Sequence, residues 1–70
     1  MHMAKEKKTL KQLRKEIRYT QREVSEGSGV PFSTYVAYEL GLRRPSLKAA
    51  QKLAAYYKCR VEDIEFDIQK

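Results

Sequence analysis

The stretch from Thr20 to Gly41, TQREVSEGSGVPFSTYVAYELG, constrains the fold of this chain more than any other. Thr20 followed three residues later by Glu23 has the form of a capping box, in which side chain and backbone at a helix start satisfy one another. Gly29 interrupts the helix formers where a left-handed residue would turn the chain, and Val30 is placed to plug that turn into a core. Pro31 suits the first turn of a second helix, because its missing amide proton would be unpaired there, and Gly41 closes that helix. The spacing predicts two short helices joined by a tight glycine turn. Such a pair cannot bury its own apolar side, so the flanking segments are expected to brace it.

Thr9 stands as the cap of an earlier helix with Leu10, Leu13 and Ile17 on one side and Lys11, Arg14, Lys15 and Arg18 on the others. Ser46 caps the strongest helix, whose inward row is Leu47, Ala50, Leu53, Ala54 and Tyr57. The helix after Thr20 is weak by propensity: Val24 is its only large apolar residue, beside Ser25, Gly27 and Ser28. After Pro31 come Phe32, Tyr35, Val36, Ala37, Tyr38 and Leu40, apolar on nearly every side, so periodicity selects no buried face. A helix of that kind on a surface is expected to have a second contact partner. Val61 to Ile64 reads as a final helical turn, and Ile64, Phe66 and Ile68 then alternate with Glu65, Asp67 and Gln69, the spacing of a short strand or extended arm. That apolar row suits packing on its own domain and packing on a second copy equally. Residues 1–8 read as a flexible basic arm, 9–64 as one domain and 65–70 as an acidic tail.

The length of 70 residues holds one domain, which at this size buries only about 60% of its unfolded surface, so dimerisation would add support. Residues 1–60 carry 14 lysines and arginines against 5 acids, whereas residues 61–70 set Lys70 against Glu62, Asp63, Glu65 and Asp67. A basic body favours polyanions, and nucleic acid is the commonest of these in a cell; the structural alternative is charge kept for solubility. No apolar run approaches the roughly 18 residues of a membrane span and no leader pattern opens the chain, so a cytoplasmic protein with no membrane partner is the expectation. His2, in a Met1-His2-Met3 opening, and the lone Cys59 supply no nucleophile and base pair and no metal cage. No enzyme, cofactor or metal site is expected. The acidic residues of the tail lack the spaced loop and central glycine of a calcium site, and Gly27-Ser28-Gly29 lacks the lysine of a phosphate cradle. Cys59 reads as a small buried apolar residue.

Taken together, these residues resemble the helix-turn-helix domain of the phage repressor and Cro family of transcription regulators. The resemblance runs from Leu10 to Ile64 through Leu13 and Arg14, Thr20-Gln21, Glu23-Val24, Gly29-Val30, Ser33-Thr34, Glu39, Gly41, Pro45-Ser46-Leu47, Leu53-Ala54, Val61 and Asp63. It implies an all-α, compact five-helix, lambda-repressor-like DNA-binding domain, with a short strand or arm at its end. It further implies that the third helix enters the major groove while the amino end of the second meets a phosphate.

By the same resemblance, Gln21 is similar to a phosphate-clamping glutamine, and Arg43 and Arg44 look like backbone anchors. Arg14 and Glu39 match a structural ion pair between the first and third helices. Pro31, Phe32, Ser33, Val36 and Ala37 face the bases, with Thr34 beside them. Members often carry Gln, Arg or Asn at several of those positions; here only Ser33 and Thr34 can hydrogen-bond, while Phe32, Val36 and Ala37 suit thymine methyl groups. Ser28 and Gly27 replace a core leucine and a helix former, so the second helix should be loosely held. Two functions are therefore expected to compete. One is a repressor of phage or mobile-element type binding double-stranded DNA as a homodimer, with Ile64, Phe66 and Ile68 as dimer contacts. The other is a protein-interaction module or antitoxin that docks a protein partner on Phe32, Val36 and Leu40.

Overall fold

Hydroxyl caps set three of the four helix starts in the computed structural model, which describes residues 7–66. In chain order the elements are β1 (Lys8–Thr9), α1 (Leu10–Glu16), α2 (Gln21–Ser28), α3 (Phe32–Leu40), α4 (Leu47–Tyr57), a 3-10 turn over Val61–Asp63, and β2 (Ile64–Glu65). Thr20 Oγ1 accepts from the Glu23 amide at 3.1 Å while Glu23 Oε1 accepts from the Thr20 amide at 2.7 Å, the reciprocal pairing that the sequence predicts. Thr9 forms the same box with Gln12, which the sequence reading did not name, and Ser46 Oγ accepts from the Ala49 amide at 3.1 Å. α3 starts at Pro31 without a side-chain cap.

Gly29 and Gly41 both take left-handed φ angles, 82° and 76°, which end α2 and α3 at little steric cost. At the first of these turns Val30 is buried, and the buried Ser25 hydroxyl donates to its carbonyl oxygen at 2.6 Å. A serine that weakens α2 by propensity thus staples the turn after it. Gly27 has a similar explanation, since a Cβ there would lie 2.6 Å from Cε1 of Tyr56 on α4. What reads in sequence as slackness in α2 is the gap that admits this ring.

The core is Leu10, Val24, Val30, Tyr35, Leu53, Ala54 and Ile64, with Leu13, Tyr38, Tyr57, Cys59 and Val61 among the side chains packed on it. The Tyr35 ring is fully buried, and its hydroxyl lies 2.8 Å from that of Tyr57. Burial raises the Tyr35 phenol far above its ordinary value of 10.0 and pushes Tyr57 up to about 12. A raised phenol contributes stability that is complete below the unfolded value near 10 and is lost as pH climbs past it. Urea midpoints should therefore fall between about pH 10 and 11.5, and a Tyr35→Phe/Tyr57→Phe variant should lose that decline. A decline of the same size in the variant would assign it to other groups.

Several sequence expectations are corrected here. The fifth helix is a 3-10 turn of three residues, so the described chain has four α-helices and a small parallel strand pair. Lys8, counted with the arm, belongs to β1 and pairs with Ile64, which ties the two ends of the domain together. Ile17 is 42% exposed because α1 stops at Glu16 and Arg18 turns left-handed, so the third position of its apolar row never comes round to the core. Leu47 is 69% exposed, as the first turn of α4 overhangs the core and the inward row begins at Ala50. Ile64 is 3% exposed in the chain's own core, and Phe66 packs against that core. That packing removes Ile64 from any surface that could hold a second copy. Ile68, Asp67 and residues 1–6 of the arm lie outside the described residues.

Candidate nucleic-acid interface

α3 turns Tyr35 and Tyr38 toward the core, which leaves Phe32, Ser33, Val36, Ala37 and Leu40 as one stripe at i, i+1, i+4, i+5 and i+8. Phe32, Ser33 and Leu40 are exposed, while Val36 and Ala37 are half-buried. Pro31 is exposed at the start of the stripe, and Thr34 sits half-buried at its edge. The side that periodicity could not select is chosen by the two tyrosines, Tyr35 buried in the core and Tyr38 packed against it. At the far end, the Gly41 amide donates to Tyr38 O at 3.2 Å and the Leu42 amide to Ala37 O at 2.9 Å, which closes the helix and releases Arg43 into the loop.

Behind the stripe a single polar network joins three helices. Arg14 Nε donates to Glu39 Oε2 at 2.7 Å, its Nη2 to Oε1 at 3.3 Å, and its Nη1 to the Tyr19 carbonyl at 2.9 Å. Gln21 Nε2 donates to the same Glu39 Oε1 at 3.0 Å. The pair is well covered, with side-chain exposures of 15% for Arg14 and 3% for Glu39. Burial alone would raise the Glu39 carboxyl, but donors from Arg14, Tyr35 and Gln21 reverse that and hold it below its ordinary value. The bond to Glu39 holds Arg14 correspondingly above its own. Gln21 and the Arg14–Glu39 pair, separate roles in the sequence, are thus one assembly that fixes the amino end of α2 beside α3. The amides of Gln21 and Arg22 at that end have no partner within the described chain, so two donors remain there for an external acceptor.

Exposed cations lie at both ends of α3 and along its Thr34 edge. Arg43 and Arg44 are solvent-exposed in the loop after α3 and make no ion pair within the described residues. The Arg22 guanidinium lies 4.2 Å from the centroid of the Phe32 ring. Lys48 and Lys52 line a shallow cleft with Pro31 and Thr34, bringing the start of α4 to the edge of α3. Neither Lys48 and Lys52 nor Arg22 stands out in the sequence as part of this surface. Their spacing carries no signal, because only the packing of α2 and α4 around α3 brings them near it. No three of His, Cys, Asp and Glu converge among the described residues as a metal cage would require, and no described helix is long and apolar enough to cross a membrane.

The helix-turn-helix family profile matches residues 10–64. A transcriptional repressor of Vibrio cholerae, the cryptic phage CTXphi protein RstR, is 38% identical over 58 residues, 83% of this chain and 52% of the repressor. An uncharacterized helix-turn-helix type transcriptional regulator of Archaeoglobus fulgidus is 38% identical over 55 residues, 79% of this chain and 78% of that protein. The chain therefore spans about half the length of the first relative and most of the second. No solved structure is significantly similar to it. With the profile covering most of its length and both relatives 38% identical over about four-fifths of it, this chain belongs to the helix-turn-helix family of the phage repressor and Cro type.

Proposed function

We propose that the chain is a sequence-specific DNA-binding transcription regulator, a repressor of phage or mobile-element type, that grips operator DNA as a symmetric dimer. The observation that carries this reading is the outward stripe of α3, with exposed cations nearby that make no ion pair among the described residues, and the open amino end of α2. Pro31, Phe32, Ser33, Val36 and Ala37 would face base edges with Thr34 beside them, while Gln21, Arg43 and Arg44 hold phosphates. A helix start with unpaired amides also favours an anion through its dipole. Two copies would place their third helices in successive major grooves about 34 Å apart.

Binding selection from random duplexes tests this directly. A palindromic site with half-sites one helical turn apart is expected, and affinity for it should fall with salt at a log-log slope near −5 if each protomer neutralises roughly three phosphates. No enriched duplex together with a slope near zero would defeat the reading. A second reading, docking of a protein partner on α3, is favoured by the exposure of Leu40 at 54% and Leu42 at 67% beside the stripe. It predicts that Phe32→Ala keeps DNA affinity and loses the partner.

A further inference from the structure

The base-facing stripe is rich in carbon and poor in donors, and the fold brings it a donor from the neighbouring helix. Arg22 is the second residue of α2 and Phe32 the first of α3, and the guanidinium of one lies 4.2 Å from the ring centroid of the other. Glu26 stands four residues after Arg22, the spacing at which a helix pairs opposite charges, yet no such pair forms. Within the described chain, the Arg22 guanidinium has no hydrogen-bond or ion-pair partner, whereas that of Arg14 is taken up by Glu39 and the Tyr19 carbonyl. A guanidinium held over a ring has its position restrained while its N–H edge stays available. Both residues are exposed, Arg22 in the first turn of α2 and Phe32 in the first turn of α3.

We propose that Arg22 and Phe32 work as one unit, the ring a platform and the guanidinium a fork, that recognises O6 and N7 of a guanine in the major groove. The proposal rests on the DNA-binding reading and deepens it. Two parallel donors match the two acceptors on that edge of guanine, and no other base offers the same pair. Ser33 and Thr34 bond to several bases, so the composite contact would carry most of the hydrogen-bonded specificity of a half-site. A phosphate accepts the same fork, and the measurements below separate the two sources.

Wild type, Arg22→Ala, Arg22→Lys, Phe32→Leu and Phe32→Trp are each taken through duplex selection and then titrated against the selected site and a scrambled one at one salt concentration. Thermal melts accompany every variant. The expected result is a guanine at one fixed position of each half-site for wild type. Arg22→Ala and Phe32→Leu should lose roughly 5- to 150-fold on the selected duplex, lose little on the scrambled one, and become indifferent at that position. Arg22→Lys keeps the charge without the fork and should also lose the preference, whereas Phe32→Trp keeps a ring and should retain it. Equal losses on both duplexes with a shallower salt slope would make Arg22 a phosphate contact and overturn the proposal, as would an unchanged preference in Arg22→Ala. Wild type selecting no duplex at all would bring down the DNA reading itself, a result distinct from either.

Discussion

Glu39→Gln is expected to lower stability by about 3 kcal/mol, which is most of what a domain of this size has. The side chain keeps its shape, but Arg14, only 15% exposed, is left as a cation without its counter-charge. Its remaining bond to the Tyr19 carbonyl supplies no compensating charge. Replacing both partners by apolar residues, Arg14→Met with Glu39→Leu, should cost less than either single change, because no charge is then stranded. Urea titrations of the three variants measure this, and a loss below about 1 kcal/mol for Glu39→Gln would show that the pair is solvated in solution. The pH dependence has a definite sign. A carboxyl whose folded pKa is depressed contributes stability that is complete above the unfolded value near 4.5 and is lost as pH falls through the lower folded value. Wild type should therefore lose stability below about pH 4.5, and Glu39→Gln should be flatter over the same range.

The helix starts were legible because a cap is a local signal: Thr20 with Glu23, Thr9 and Ser46 each announce a helix within four residues. Both glycine turns were legible for the same reason, since φ near 80° admits few other residues. What failed in the sequence depended on where an element stops or what lies across from it. Ile17 kept the spacing of a core residue, but its helix ended one residue too soon. Gly27 and Ser25 looked like weak points of α2 until Tyr56 and the Val30 carbonyl were seen opposite them. For Ile64 the alternation left its own domain and a second copy equally open, and the pairing with β1 decides for the first.

The interface divides along the same line. The stripe of α3 was placed by resemblance, whereas the reason it faces outward is the pull of Tyr35 and Tyr38 toward the core, which no period in that helix reveals. Gln21 and the Arg14–Glu39 pair were each named, but their union through Glu39 Oε1 joins residues 18 and 25 positions apart. Arg22 on Phe32 was not legible at all, because two residues ten apart on different helices meet only once the glycine turn is folded.

Charge reversal at the loop after α3 should have the largest effect on binding, with almost none on folding. Arg43 and Arg44 are exposed and bond to nothing in the described chain, so Arg43→Glu with Arg44→Glu should change stability by no more than about 0.5 kcal/mol. If each meets a phosphate, a dimer loses four such contacts, and affinity at about 0.1 M salt should drop by two orders of magnitude or more. The neutral variant, Arg43→Ala with Arg44→Ala, isolates the mechanism: each phosphate contact removed should reduce the log-log salt slope by about 0.9, so the loss of four takes it from about −5.4 to about −1.8. The loss should be equal on selected and scrambled duplexes, because a phosphate carries no sequence. That equality sets the loop apart from Arg22, whose removal should be felt on one duplex only, and from Glu39, whose removal should be felt in the melt before any DNA is added. Unchanged affinity in the charge-reversed variant would mean that the loop lies away from the DNA, and the orientation of α3 in the groove would have to be abandoned with it.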